Sequence, residues 1–87
     1  NMLNGKFMND SAKSFANRLR TEAGEEPNKQ VEHALKLVLS RNPKADEIGA
    51  GVEMIKNMKD KFNLSNEEAL DRFALLALNL NEFVYLD

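Results

Sequence analysis

Residues 65–80, SNEEALDRFALLALNL, carry the clearest local structural signal in the chain. Ser65 and Glu68 form a capping-box pattern, in which each side chain accepts a hydrogen bond from the other residue's backbone amide. Apolar residues then recur every three or four positions, the period of a helix with one buried face. They are Ala69, Leu70, Phe73, Leu76, Ala77 and Leu80. The stretch therefore predicts a helix that begins just after Ser65.

The end of this helix is less sharply defined than its start. Asn79 and Asn81 tolerate capping and left-handed geometry, so they predict its fraying end. The last residues then either add a further helical turn or form an extended tail. Residues 83–86 are all apolar, more than a fraying terminus should expose. Phe83 and Tyr85 therefore either fold back over the domain, which we favour, or form a surface for another part of a larger protein.

The same periodicity predicts three helices upstream. The first runs from about Gly5 to Ala23, with Gly24 as its left-handed stop. The second begins at Pro27, whose fixed φ suits a first helical position, and ends in the turn before Pro43. The third spans residues 45–62, with acidic residues in its first turn.

Each upstream helix has an apolar stripe that predicts its inner face. The stripes are Met8, Ala12, Phe15, Ala16, Leu19 and Ala23; then Val31, Ala34, Leu35 and Val38, widened by Leu37 and Leu39; then Ile48, Val52, Ile55, Met58 and Phe62. We interpret Met54 and Met58 as core filler. Gly49 and Gly51 each cost a helix about 0.5–1 kcal/mol relative to alanine. They indicate either a close approach between helices or a mobile first turn.

These elements predict an all-α fold, a compact bundle of four helices with mostly antiparallel neighbours and a short apolar C-terminal tail. The 87 residues are 43% hydrophobic and 30% charged, which is typical of one small globular domain covering residues 1–87. The chain begins with Asn1-Met2 and stops on an apolar segment. We therefore expect it to be the C-terminal fragment of a larger protein.

The composition excludes several kinds of chemistry. Without cysteine the chain has no disulfide, no thiolate metal site and no covalent haem attachment. The one histidine, His33, is interpreted as a boundary residue with no chemical role. The acidic pairs at 46–47 and 67–68 fall in first helical turns, where the helix dipole explains them. We therefore expect no catalytic residue, metal site or cofactor in this chain.

Charge and hydropathy restrict the partners as well. The net charge of −2 provides no field for phosphate backbones, and Lys56, Lys59 and Lys61 are interpreted as a solvated face. The longest apolar run, residues 73–78, is far shorter than the ~20 residues of a membrane span. We expect neither nucleic-acid binding nor a membrane span.

Two stretches resemble a known family. They are LVLSRNP at residues 37–43, followed by Glu47, and ALNLNEFVYLD at residues 77–87, with weaker matches such as Phe15-Ala16 before them. Together they are similar to the C-terminal portion of the planctomycete cytochrome-c-associated domain of unknown function (family number fifteen fifty-three). The resemblance implies a large exported or periplasmic parent protein, often with haem segments elsewhere. It implies no catalytic residues, and this chain has no Cys-x-x-Cys-His for haem.

The resemblance also singles out candidate interaction or structural residues, namely Arg41, Pro43, Asn79, Asn81, Glu82, Phe83 and Tyr85. Arg41 either bonds the last carbonyls of the second helix or pairs with Glu47 across the turn. The two asparagines either cap the fourth helix, with Glu82 meeting an amide or a cation, or fasten it to an upstream domain. Lys44 stands where the family usually has Ser or Thr, so the third helix loses a good N-cap.

The resulting functional expectation is a structural or interaction subdomain of a large exported planctomycete-type protein, with the upstream domain of that protein as its partner. The alternative is a free-standing small helical regulator that binds protein or nucleic acid through its fourth helix and tail.

Overall fold

The computed structural model describes the backbone of residues 5–86 and the side chains of residues 10–80. Within those limits the fold is all-α, with four helices whose boundaries match the predicted ones except at the end of the fourth. They are α1 (Gly5–Ala23), α2 (Pro27–Leu39), α3 (Ala45–Phe62) and α4 (Asn66–Leu86). The predicted four-helix architecture is confirmed.

The connections follow local capping rules. Gly24 adopts a left-handed φ of +82°, and its N–H donates to the carbonyl of Arg20 at 3.0 Å, which ends α1. Ser40 takes the same left-handed geometry after α2, and its N–H donates to Lys36 at 3.1 Å. Asn63 does so after α3. The first three helices therefore each end at a residue in left-handed geometry.

The two later helices begin with capping boxes of different completeness. At α4, the Glu68 N–H donates to Ser65 Oγ (3.1 Å) and the Ser65 N–H donates to Glu68 Oε1 (3.0 Å), as predicted. At α3, the Lys44 N–H donates to Glu47 Oε1 at 2.8 Å. The Lys44 ammonium group cannot accept a hydrogen bond from the N–H of Glu47, so the other half of this box is missing. Glu47 thus supports the first turn of α3 without a conventional N-cap.

The core lies where α2 and α4 meet, and each of these helices packs against the other three. Helix α1 packs against α4, and small buried residues on the two helices, Ala12, Ala16 and Ala74, allow a close approach. Leu19 of α1 is fully buried. The buried apolar residues are Ala12, Ala16, Leu19, Val31, Ala34, Leu35, Val38, Ile55, Ala69, Leu70, Phe73, Ala74 and Ala77. Each predicted stripe therefore contributes some of its described residues to one core.

Gly51 is the point where α3 comes closest to its neighbours. A Cβ atom added there would lie 2.6 Å from Val31 Cγ1 and 3.4 Å from Phe73 Cε1. A Cβ added to Gly49 would meet nothing within 4 Å. Of the two predicted explanations, close helix approach applies to Gly51, whereas Gly49 lies in open space.

Four apolar side chains depart from the predicted inner faces. Phe62 is 60% exposed, Leu76 45%, and Met54 and Leu80 40% each, so these expectations were wrong. Conversely, Gln30 is only 6% exposed and was not predicted to be buried. Its Nε2 donates to the carbonyl of Gly24 at 2.6 Å, which satisfies that amide group inside the domain.

The fourth helix does not end at Asn79 or Asn81. Its backbone stays helical to Leu86, so the predicted fraying end was wrong and the helical alternative for the last residues is the one observed. The side chains of residues 81–87 lie outside the described residues. The prediction that Phe83 and Tyr85 fold back concerns those side chains and stays a prediction.

The two glycines of α3 provide a matched test of the close approach. Gly49→Ala should stabilise the domain by about 0.5–1 kcal/mol, because alanine favours the helix and meets no neighbour. Gly51→Ala gains the same propensity but forces its methyl into fully buried Val31, which adds an overpacking cost of about 1–3 kcal/mol. Urea unfolding measures both, and equal effects would contradict the packing described.

The missing half of the α3 capping box gives a second test. Lys44→Ser supplies a hydroxyl acceptor for the N–H of Glu47 and should stabilise the domain by about 0.5–1 kcal/mol in thermal or urea unfolding. The matched control is Ser65→Ala, which removes the same group from α4 and should destabilise by about 1 kcal/mol. A loss of stability in Lys44→Ser would refute the proposed cap defect.

Candidate interaction surface

The outer side of α3 presents two parallel ridges of side chains spaced four residues apart. The apolar ridge consists of Ala50, Met54, Met58 and Phe62, and the polar ridge consists of Glu53, Asn57 and Lys61. Between them lies a shallow groove of about 420 Å³ formed by α3 alone. We call these seven residues and the space between them the α3 groove.

The position of α3 at the edge of the bundle explains this exposure. Its inner side is held by Gly51 and Ile55, which are buried against α2 and α4. Met54 immediately precedes Ile55, so a rotation of about 100° per residue turns it away from the core. Phe62 lies almost two turns beyond Ile55, in the last turn of the helix. The bundle therefore covers the inner side of α3. It leaves Ala50, Met54 and Phe62 exposed, whereas Met58 is partly buried and packs against the core.

The charged residues of the α3 groove form no polar contact with another side chain in the part of the chain whose side chains are described. Glu53 and Lys61 are both exposed, and within residues 10–80 no ion pair or side-chain hydrogen bond involves either of them. An exposed apolar strip beside unengaged opposite charges is the arrangement of a protein-binding surface rather than a core. On α4, Leu76 and Leu80 are exposed as well.

Among the residues singled out from the sequence, Arg41 and Pro43 lie together in the turn between α2 and α3. Arg41 donates from Nη1 to Glu47 Oε1 (3.0 Å) and from Nη2 to Glu47 Oε2 (2.8 Å), so the predicted pair across the turn is present. Its Nη1 also contacts the carbonyl of Asn42 at 3.3 Å. The turn is thus held by a bidentate ion pair, which is a structural role.

The hydrogen bonds to Glu47 change its acidity. The Arg41 guanidinium, followed by the Lys44 backbone N–H, lowers the pKa of Glu47 from 4.5 to about 2. The same pairing raises the pKa of Arg41 above its ordinary value. The ionised pair therefore persists well into acid, which suits a structural clamp.

The other singled-out residues lie on the last part of α4. Asn79 is exposed on that helix. Asn81, Glu82, Phe83 and Tyr85 have side chains outside the described residues. The structure thus brings Arg41 and Pro43 into one turn, and it leaves the proposed motif at the C-terminus as a prediction.

His33 takes part in a small polar network between the first two helices. Its Nε2 hydrogen-bonds Glu22, which also accepts two 3.1 Å contacts from Arg18 Nε. The His33 hydrogen bond is the main cause that lowers the pKa of the Glu22 carboxyl. The network links α1 to α2, because Glu22 lies on α1 and His33 lies on α2.

A second cleft, of about 540 Å³, lies where the four helices meet around Arg20 and Gln30. Arg20 donates from Nη2 to Asp71 Oδ1 (3.2 Å) and to the Glu67 carbonyl (3.1 Å), and from Nη1 to Asn17 Oδ1 (2.7 Å). Glu25 and Lys59 add charges of opposite sign to the lining. The polar groups here fasten helices to one another, so we assign the cleft a structural role.

Two kinds of site are not found among the described residues. No group of three His, Asp or Glu side chains there is placed to hold a metal ion. No described helix combines the length and the apolar character needed to cross a membrane.

Comparisons with protein-family models, curated proteins and solved structures find no match to this chain. The resemblance to the planctomycete domain therefore stays a prediction. Of the seven residues of the α3 groove, the sequence pattern predicted three in the core, namely Met54, Met58 and Phe62, and it predicted Lys61 on a solvated face. This groove is the surface on which a functional proposal depends. The signal that identifies it in the sequence is the position of Met54, one residue out of phase with Ile55.

The Arg41–Glu47 pair generates a test of pH dependence. Because the folded pKa of Glu47 is depressed, its contribution to stability is present above pH 4.5 and is lost as the pH falls through about 2. Glu47→Gln removes this contribution, so its urea midpoint should lie below that of the parent protein at neutral pH. The two should converge near pH 2. Glu32→Gln, an exposed substitution on α2, is the control, and no convergence would exclude the pair as the cause.

Proposed function

We propose that this chain is a helical protein-interaction module that binds through the α3 groove. The observation that carries the proposal is the exposure of Phe62 (60%) and Met54 (40%) on one ridge of an edge helix. Met and Phe are enriched at protein interfaces because they bury much area and adapt their shape. The polar ridge beside them supplies Glu53 and Lys61 for orientation of the partner.

The family resemblance supports a particular setting for this module. In that setting it is a subdomain of a large exported planctomycete-type protein, and the α3 groove or the end of α4 meets an upstream domain. The Arg41–Glu47 clamp then keeps the motif turn rigid for assembly. Any redox or enzymatic activity belongs to other parts of that protein.

The alternative setting is a free-standing regulator, and one observation supports a protein as its partner. The α3 groove carries one acidic and one basic residue beside an apolar ridge, rather than a cationic stripe. Such a surface suits a protein partner better than a phosphate backbone. In either setting, therefore, the partner is a protein.

Site-specific photo-crosslinking tests the proposal in cells that produce the protein in its natural context. A benzoyl-phenylalanine residue placed at position 62 should give a discrete protein adduct on irradiation. The same residue at exposed Lys36 on α2 should not, because that position lies outside the α3 groove. Met54→Glu should abolish the adduct at position 62, while stability changes by no more than about 0.5 kcal/mol, as expected for a surface site. Equal adducts at both positions, or none at position 62, would overturn the proposal.

A further inference from the structure

We propose that the occupant of the α3 groove is a second copy of this chain, with the two α3 helices packed antiparallel about a two-fold axis near Asn57. The inference rests on the proposed function and names its partner. It follows from the order of side chains along the two ridges, which are complementary to themselves when reversed.

The polar ridge shows this self-complementarity in charge. Glu53 and Lys61 lie four residues on either side of Asn57. A two-fold axis at Asn57 places Glu53 of each protomer opposite Lys61 of its partner and pairs the two Asn57 amides. In an isologous interface every contact occurs twice, so one arrangement forms two ion pairs. A parallel arrangement would instead place like charges opposite each other.

The apolar ridge shows the same property in size. When a second copy of the ridge is reversed about a point near residue 56, Ala50 lies opposite the partner's Phe62 and Met54 lies opposite the partner's Met58. The smallest side chain of the ridge thus faces the largest, and two flexible methionines fill the centre. The centres of the two ridges differ by one residue, which is about 1.5 Å along the helix, so one two-fold axis passes close to both.

Helix geometry allows this contact. Ridges formed by residues four apart on one helix pack into the grooves between such ridges on another, at a crossing angle of about −50°. The α3 groove lies between two ridges of this kind and has a volume of about 420 Å³. The segment from Ala50 to Phe62 is about 18 Å long at 1.5 Å per residue, enough for a small interface.

An interface of one helix face per protomer belongs to the weak class. We therefore expect a dissociation constant of roughly 10–500 μM, with association strengthened at low salt. Because neither Glu53 nor Lys61 has an ion-pair partner within residues 10–80, dimer formation breaks no described pair. The net charge of only −2 adds little repulsion between copies.

Sedimentation equilibrium of the full chain tests the proposal. It is run at low salt and at protein concentrations up to about 1 mM, the range in which a weak interface associates. Glu53→Lys and Lys61→Glu should each raise the dissociation constant about tenfold or more, because each turns both ion pairs into repulsions. An equimolar mixture of the two variants should associate about as well as the parent chain, since the mixed dimer has two attractive pairs. That rescue requires Glu53 to meet Lys61 across the interface.

Glu32→Lys and Lys36→Glu are matched controls, because they change the same charges at exposed positions of α2 outside the α3 groove. They should leave the dissociation constant within about threefold of the parent value. Circular dichroism and urea unfolding confirm that every variant stays folded.

Several outcomes would overturn the two-fold dimer. A parent chain that stays monomeric at about 1 mM lies outside the range expected for an interface of this size. Single variants that behave like the α2 controls, or a mixture without rescue, would exclude the antiparallel register. The proposed function fails separately: a crosslinked adduct at position 62 with the mass of a different protein supports the interaction module and overturns the second copy.

Discussion

The close approach of α3 to Val31 and Phe73 at Gly51 is the constraint on which the rest of the structure depends. Any side chain at residue 51 would enter the space of Val31, which is fully buried and branched at Cβ, so it has little freedom to move away. Contact with α2 and α4 at one point fixes the rotation of α3 about its own axis. That rotation turns Ile55 into the core and Met54 out of it.

Polar contacts at the helix ends complete what this packing begins. Arg41 and Glu47 clamp the turn from α2 to α3, and Gln30 binds the end of α1 through the Gly24 carbonyl. Arg20 joins α1 to the start of α4. These contacts link neighbouring helices at their ends. The core, with small residues such as alanine, holds the same helices along their middle.

Sequence reasoning predicted the helix boundaries well, because boundaries depend on local chemistry. Gly24, Pro27 and the Ser65–Glu68 box act within one turn of the chain, and the structure places each at the predicted end. The C-terminal end of α4 was the exception. Two asparagines permitted an end there but did not require one, and the helix continues to Leu86.

Exposure was harder to predict, because it depends on where the neighbouring helices stop. Phe62 follows the spacing of the inner stripe. However, the first turn of α2 lies beside Ile55 and Lys59 in one cleft, so the last turn of α3 extends beyond the start of α2. Gln30 is buried for the opposite reason, since the end of α1 supplies a carbonyl for its amide. Neither fact is contained in the periodicity of one helix.

The same reasoning separates the surface of α3 from its role in the fold. Gly51 and Ile55 hold the helix from inside, whereas Met54 keeps 40% and Phe62 60% of its surface exposed. Burial within the domain therefore covers only part of the apolar area of this methionine and this phenylalanine. The proposed contact outside the domain would cover the rest, because the removal of apolar area from water favours association. The ridge of Glu53, Asn57 and Lys61 beside them gives that contact its direction, since opposite charges at its two ends favour an antiparallel arrangement.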